Sequence, residues 1–170
     1  MKNYIKHIKV VGFCLLFYSN AFAQQEESYW EAVEAETLDH FRALLQFDTS
    51  DPPGRELPAA EYLRDVLEAE GIPVEMLFND PERPNVVARL EGNGSKEPLL
   101  IMAHTDVVNV DPEKWTFPPF SAVVDDGYVY GRGAVDDKDN LAVALMVMLE
   151  LKRQNIALDR DVIFLAESGE

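Results

Sequence analysis

Leu99-Leu100-Ile101-Met102-Ala103-His104-Thr105-Asp106-Val107-Val108 holds the reading that decides the fold. Its first five residues are apolar without a break, the pattern of a strand buried on both faces in an α/β sheet. Polar residues placed directly after such a strand emerge at its carboxyl end, where open α/β sheets put their sites. His104 and Asp106 lie two apart and project to the same side of an extended segment. A neutral imidazole can bind a metal through one nitrogen while a carboxylate accepts a hydrogen bond from the other, fixing tautomer and orientation. Taken alone, the pair is also compatible with a turn-capping histidine beside a solvated aspartate.

Two further phrases repeat the arrangement downstream. Gly131-Arg132-Gly133-Ala134-Val135-Asp136-Asp137-Lys138 allows a tight chain path and then sets two acids before an Ala-, Leu- and Met-rich helix over about 139–154. Adjacent acids there can simply complement a helix dipole. The dinucleotide reading of Gly-Arg-Gly fails because the third glycine is missing. A carboxylate that bridges two cations fits better, since two cations about 3.5–4 Å apart can clamp and activate one water. The third phrase, Phe164-Leu165-Ala166-Glu167-Ser168-Gly169-Glu170, again follows an apolar strand over 161–166 and ends in carboxylates. A glutamate beside an activated water can take its proton and pass it to a leaving nitrogen.

The remaining chain supplies the frame. Apolar residues at Trp30, Val33, Leu38, Phe41, Leu44 and Leu45 predict an amphipathic helix over 29–47, closed by the turn formers Asp48 to Gly54. A second helix is expected from Pro58 to about Glu70, with Leu63, Val66 and Leu67 on one face and Gly71 ending it. Short β-rich runs follow at 74–78, 85–90 and 98–103, and Asp126-Gly127 between Val123-Val124 and Tyr128-Val129-Tyr130 is a hairpin signal. His40 lies on the first helix with no partner motif and reads as a packing histidine. This order of elements predicts an α/β fold with a sheet covered by helices.

Hydrophobic content of 47% marks a globular chain. Lys2, Lys6 and Lys9 precede an apolar run from about Val10 to Tyr18, and Ala21-Phe22-Ala23 offers a small-x-small cleavage site, so residues 1–23 read as an export signal and residues 24–170 as the mature domain. The apolar run is too short to span a bilayer, so no membrane span is expected after cleavage. Cleavage would remove three of the 15 basic residues and none of the 31 acidic ones. So acidic a chain repels nucleic acid and anionic membrane surfaces. Cys14, the only cysteine, leaves with the signal, and any metal must be held by His, Asp and Glu. The expected location is periplasmic or extracellular.

In order and spacing, the three phrases resemble the M20 family of metallopeptidases, over residues from about Glu36 to Glu170. The resemblance implies a zinc-exopeptidase-like mixed sheet covered by helices, present here without the later part of the catalytic domain or the lid domain. It implies two Zn²⁺ ions per complete site, with Co²⁺ or Mn²⁺ as alternatives. His104 is then a metal ligand, Asp106 its orienting carboxylate, Asp136 the bridging ligand and Glu170 the general base. The partner of Glu170 falls at position 171, and Glu167 breaks the spacing and is no substitute. The stretch from Asp111 to Phe120 is most similar to the carboxypeptidase S and N-acyl-amino-acid hydrolase branch. Its Pro and aromatic residues read first as packing over the sheet, with lining of a substrate approach as the alternative. Asp139-Asn140 stands where many members have glycine after the lysine and reads as a variant helix cap. The implied activity is hydrolysis of the amide bond of a peptide or N-acyl amino acid, in a protein that can form a homodimer, with this chain alone expected to be inactive. The alternative is a non-catalytic domain that binds a peptide or partner on the same sheet.

Overall fold

The computed structural model describes residues 2–169 and, among them, the side chains of residues 24–169. The export-signal reading of residues 1–23 therefore falls where side chains are not described, and the general-base reading of Glu170 lies outside the described residues. The chain divides into two units, Met1–Leu38 and Asp39–Glu170. Helix α1 (Lys2–Gln46) begins well before the expected Tyr29. In the first unit Thr37 Oγ1 donates to the Val33 carbonyl at 2.6 Å, and the Tyr29 and Trp30 rings meet edge to face. Among the described residues no helix is long and apolar enough to cross a membrane.

In the second unit a four-stranded mixed sheet carries the structure. Its strands are β2 (Val74–Phe78), β3 (Pro84–Leu90), β4 (Leu99–His104) and β8 (Val162–Glu167), in the order β2-β3-β8-β4. β2 and β3 are antiparallel, as are β3 and β8, whereas β4 and β8 run parallel with His104 opposite Glu167. A parallel pair needs a long crossover. That crossover contains β5 (Val107–Val108), the hairpin β6 (Val123–Asp125) and β7 (Tyr128–Tyr130), and helix α3 (Lys138–Arg153). β5 pairs in parallel with β1 (Ser50–Asp51), which precedes α2 (Leu57–Ala69). The hairpin turns on Asp126 and Gly127, both at positive φ, as its Asp-Gly signal requires. Gly71, also at positive φ, follows α2 and closes it.

α2 packs on β2 and β3, α3 packs on β4 and β8, and the two helices touch. They bury one face of the sheet: Val86, Ala88, Phe164 and Ala166 of the strands and Leu63, Leu67, Leu141, Leu145 and Leu149 of the helices are all buried. The expectation that β4 is buried on both faces is corrected: Leu100 and Met102 are each 49% exposed. β4 is the sheet edge among the described residues, with β8 its only sheet neighbour, and the side chains alternating away from α3 have little above them. Asp139-Asn140 is corrected too. Asp137 occupies the N-cap position of α3, and Asp139 and Asn140 lie within its first turn.

Candidate metal centre

The carboxyl ends of β4 and β8 are tied together before any functional group is considered. Beyond β4, Thr105 donates from both its backbone N–H (2.8 Å) and its hydroxyl (3.0 Å) to the Glu167 carbonyl. The Thr105 carbonyl in turn accepts from the Thr49 hydroxyl at 2.6 Å, and the Val107 N–H donates to the Thr49 carbonyl at 3.0 Å. Thr49 and Thr105 are buried, so each bond fills a need that water does not meet there. Glu167, set aside as a ligand from its spacing, enters this network through its backbone.

His104 is thereby fixed at a strand end with its side chain 12% exposed. Nδ1 lies 2.9 Å from Asp106 Oδ1, and Nε2 lies 3.1 Å from Asp136 Oδ1. The structure thus brings together three of the four residues singled out from sequence. Burial works against the imidazolium, but hydrogen bonds to the Asp136 and Asp106 carboxylates, with the Asp106 charge, outweigh it and raise the His104 pKa above its usual value. The two carboxylates differ in setting: the Asp106 side chain is 14% exposed and that of Asp136 is 82% exposed.

The loop that carries Asp136 is anchored by its neighbours. The Asp136–Asp137 peptide is cis. The Asp137 carboxylate accepts from the His104 N–H at 3.3 Å and from the Asn140 amide. Lys138, read from sequence as a basic residue without a ligand role, is fully buried and donates from Nζ to the carbonyls of Leu44 (3.0 Å) and Phe47 (2.8 Å) at the end of α1. Burial lowers its pKa to about 8 against the pull of Asp48, Asp106 and Glu56. Gly133, at positive φ, leaves room for this side chain: a Cβ there would sit 2.8 Å from Val107 and 3.1 Å from Lys138.

The donor set suits a divalent transition metal. An imidazole with one nitrogen held by a carboxylate and the other turned to a second carboxylate is the arrangement of a ligating histidine, and N and O donors of this kind take Zn²⁺, Co²⁺ or Mn²⁺. Among the described residues no group of three or more His, Cys, Asp or Glu side chains is placed to hold a metal ion; His104 and Asp136, 3.1 Å apart, offer one donor each.

Sequence reading missed a second group beside this centre. Arg83 bonds Glu56, Asp51 and the Ser168 carbonyl, and Asn85 bonds the Ser168 N–H. The available signal was Arg and Asn flanking Pro84 at a strand start, which read only as turn and strand. The Pro118-Pro119-Phe120 stretch, expected to pack over the sheet, lines a cleft of about 560 Å³ with Asp48, Ser50, Arg55 and Asn109. His40 packs as expected, its Nδ1 2.6 Å from the Tyr62 hydroxyl.

Comparison with known proteins follows the same residues. Residues 100–170 match the family described as Peptidase family M20/M25/M40. The chain is 40% identical over 139 residues to the N-formyl-4-amino-5-aminomethyl-2-methylpyrimidine deformylase of Halalkalibacterium halodurans, a match covering 79% of this chain and 33% of that protein. It is 38% identical over 117 residues to a probable succinyl-diaminopimelate desuccinylase of Staphylococcus epidermidis, covering 68% of this chain and 28% of that one. An M20 family metallo-carboxypeptidase of Sulfolobus solfataricus superposes with a TM-score of 0.68 at 28% identity, over 78% of this chain and 30% of that structure. The chain spans about a third of the length of the curated relatives it matches.

Proposed function

The chain belongs to peptidase family M20/M25/M40, and from that membership we propose that it carries part of a metal-dependent hydrolase acting on the amide bond of an N-acyl amino acid or peptide. The observation that carries the reading is His104 held between Asp106 and Asp136 at 2.9 and 3.1 Å. His104 Nε2 and the Asp136 carboxylate would hold the metal, zinc in the first instance, with Asp136 serving as the ligand common to a pair of ions. When bound, the metal polarises the scissile carbonyl and lowers the pKa of the attacking water. Asp106 keeps the proton of His104 on Nδ1, so that Nε2 stays free to ligate. Glu170 takes the proton released by the attacking water and delivers it to the leaving nitrogen. The names of the deformylase and desuccinylase relatives favour an N-acyl substrate over a peptide. The cleft lined by Pro118, Pro119 and Phe120 is a candidate for its approach. The basic and apolar pattern of residues 1–23 supports export, which N-terminal sequencing of the mature protein tests by finding Gln24 first.

The function is tested on a zinc-loaded protein carrying this chain at the length of its relatives, against a panel of N-acyl amino acids and dipeptides. Glu170→Gln is expected to retain zinc and lose turnover, and Asp136→Ala to lose both. Full turnover in Glu170→Gln contradicts the base assignment. Unaltered peptide affinity in all variants with no hydrolysis in the parent favours the binding-domain alternative.

A further inference from the structure

The ladder between β3 and β8 stops short of the third motif, and side chains take over where it stops. Val86 pairs with Ala166. Extending that antiparallel register by two residues sets Pro84 opposite Ser168, and proline has no N–H to offer the Ser168 carbonyl. Arg83 supplies the missing donor: its Nη2 reaches the Ser168 carbonyl at 3.2 Å. On the other side of the same residue, the Ser168 N–H donates to Asn85 Oδ1 at 2.8 Å. Both backbone polar groups of Ser168 are thus held by side chains from one three-residue stretch.

Arg83 is itself held in place from two sides. Its Nε donates to Glu56 Oε2 at 2.9 Å and its Nη2 pairs with Asp51 at 2.9 Å. The Glu56 side chain is fully buried, and its second oxygen has no hydrogen-bond partner. A buried carboxylate with one oxygen unpaired costs stability, which is the mark of a group kept for what it positions. Gly54 and Gly169 make room for the guanidinium: a Cβ on either would lie 2.5 or 2.6 Å from its nitrogens. Gly169 also faces Asp106, since its Cβ would sit 3.4 Å from Asp106 Oδ2. The Ser168-Gly169 backbone therefore runs between the Arg83 cluster and the carboxylate that orients His104.

We infer that Arg83 and Asn85 are positioning residues for the hydrolytic centre: they clamp Ser168-Gly169 against Asp106 and so fix the backbone from which Glu170 acts. This rests on the assignment of Glu170 as base. The clamp acts through geometry alone, and a misplacement of about 1 Å in a reacting group costs about 100-fold in rate.

The test compares Asn85→Val, Asn85→Asp and Glu170→Gln in the zinc-loaded protein at the length of its relatives. Asn85→Val removes the acceptor and is expected to lower kcat by about 100-fold with KM and zinc content unchanged. Asn85→Asp keeps an oxygen at the same place and restores most of kcat. Independently of activity, the Ser168 amide exchanges hydrogen at least about tenfold faster in Asn85→Val and stays protected in Asn85→Asp. Because loss of Arg83 alone strands Glu56, the arginine is tested as Arg83→Met with Glu56→Gln, expected to lower kcat likewise. If Glu170→Gln loses turnover while Asn85→Val and the double variant keep theirs, the clamp is refuted and the base assignment stands. A fall in zinc content or melting temperature that tracks the loss of kcat also refutes it, as structural damage. If Glu170→Gln keeps turnover, the base assignment falls and the clamp's catalytic role falls with it.

Discussion

The two halves of the candidate centre are built in different ways. His104 and Asp106 sit at 12% and 14% exposure, locked by the Thr105, Thr49 and Glu167 bonds that knit the strand ends. Asp136 is 82% exposed on a loop held by the two residues that follow it, Asp137 on the His104 N–H and the fully buried Lys138 on the carbonyls at the end of α1. The histidine half is therefore shaped by the sheet before anything binds, whereas the aspartate half is held through its neighbours and leaves its carboxylate open. On the proposed reading the orienting contact sits on the buried side and the exposed carboxylate stays open to solvent.

Removing the lysine anchor is the strongest way to break this contrast. Lys138→Met leaves the Phe47 carbonyl without its donor and the Leu44 carbonyl with the Phe47 N–H alone, and is expected to cost about 1–3 kcal/mol, read from urea denaturation. Next comes the orienting carboxylate: Asp106→Asn should weaken zinc binding by about 10–100-fold in calorimetric titration, with little change in fold. Thr105→Val, which removes one hydroxyl bond from the rigid half, should cost about 1 kcal/mol. At the small end, Asp136→Asn should leave the stability of the metal-free chain within about 0.5 kcal/mol, because the side chain is exposed.

A pH series sharpens the same contrast on the buried side. Burial raises the Glu56 pKa above 4.5, against its own backbone hydrogen bond and the bond to Arg83. The folded state then binds more protons than the unfolded one in the window just above pH 4.5, so stability falls as pH rises through it. Denaturation curves at stepped pH should show that decline in the parent and a flatter profile in Glu56→Gln.

Much of this was legible from local pattern. The runs at 74–78, 85–90 and 161–166 became β2, β3 and β8 within a residue, because alternation and turn formers are local signals. The Asp126-Gly127 hairpin followed for the same reason. The exposure of Leu100 and Met102 was not legible, since an apolar run does not state which neighbours cover it. Nor was the bond network around Ser168, whose partners Arg83 and Asn85 lie 85 and 83 residues away in sequence. Lys138 illustrates both sides: its place in the second phrase was plain, while its burial under the end of α1 depends on a contact across 94 residues.

The central claim is that His104 and Asp136 hold metal at the ends of β4 and the second-motif loop. Zinc-edge anomalous scattering from crystals of the zinc-loaded protein tests it most directly. The account predicts a peak within ligand distance of His104 Nε2 and an Asp136 oxygen, with Asp106 still on Nδ1. A zinc peak elsewhere, with the His104–Asp136 contact unchanged at 3.1 Å, would contradict it.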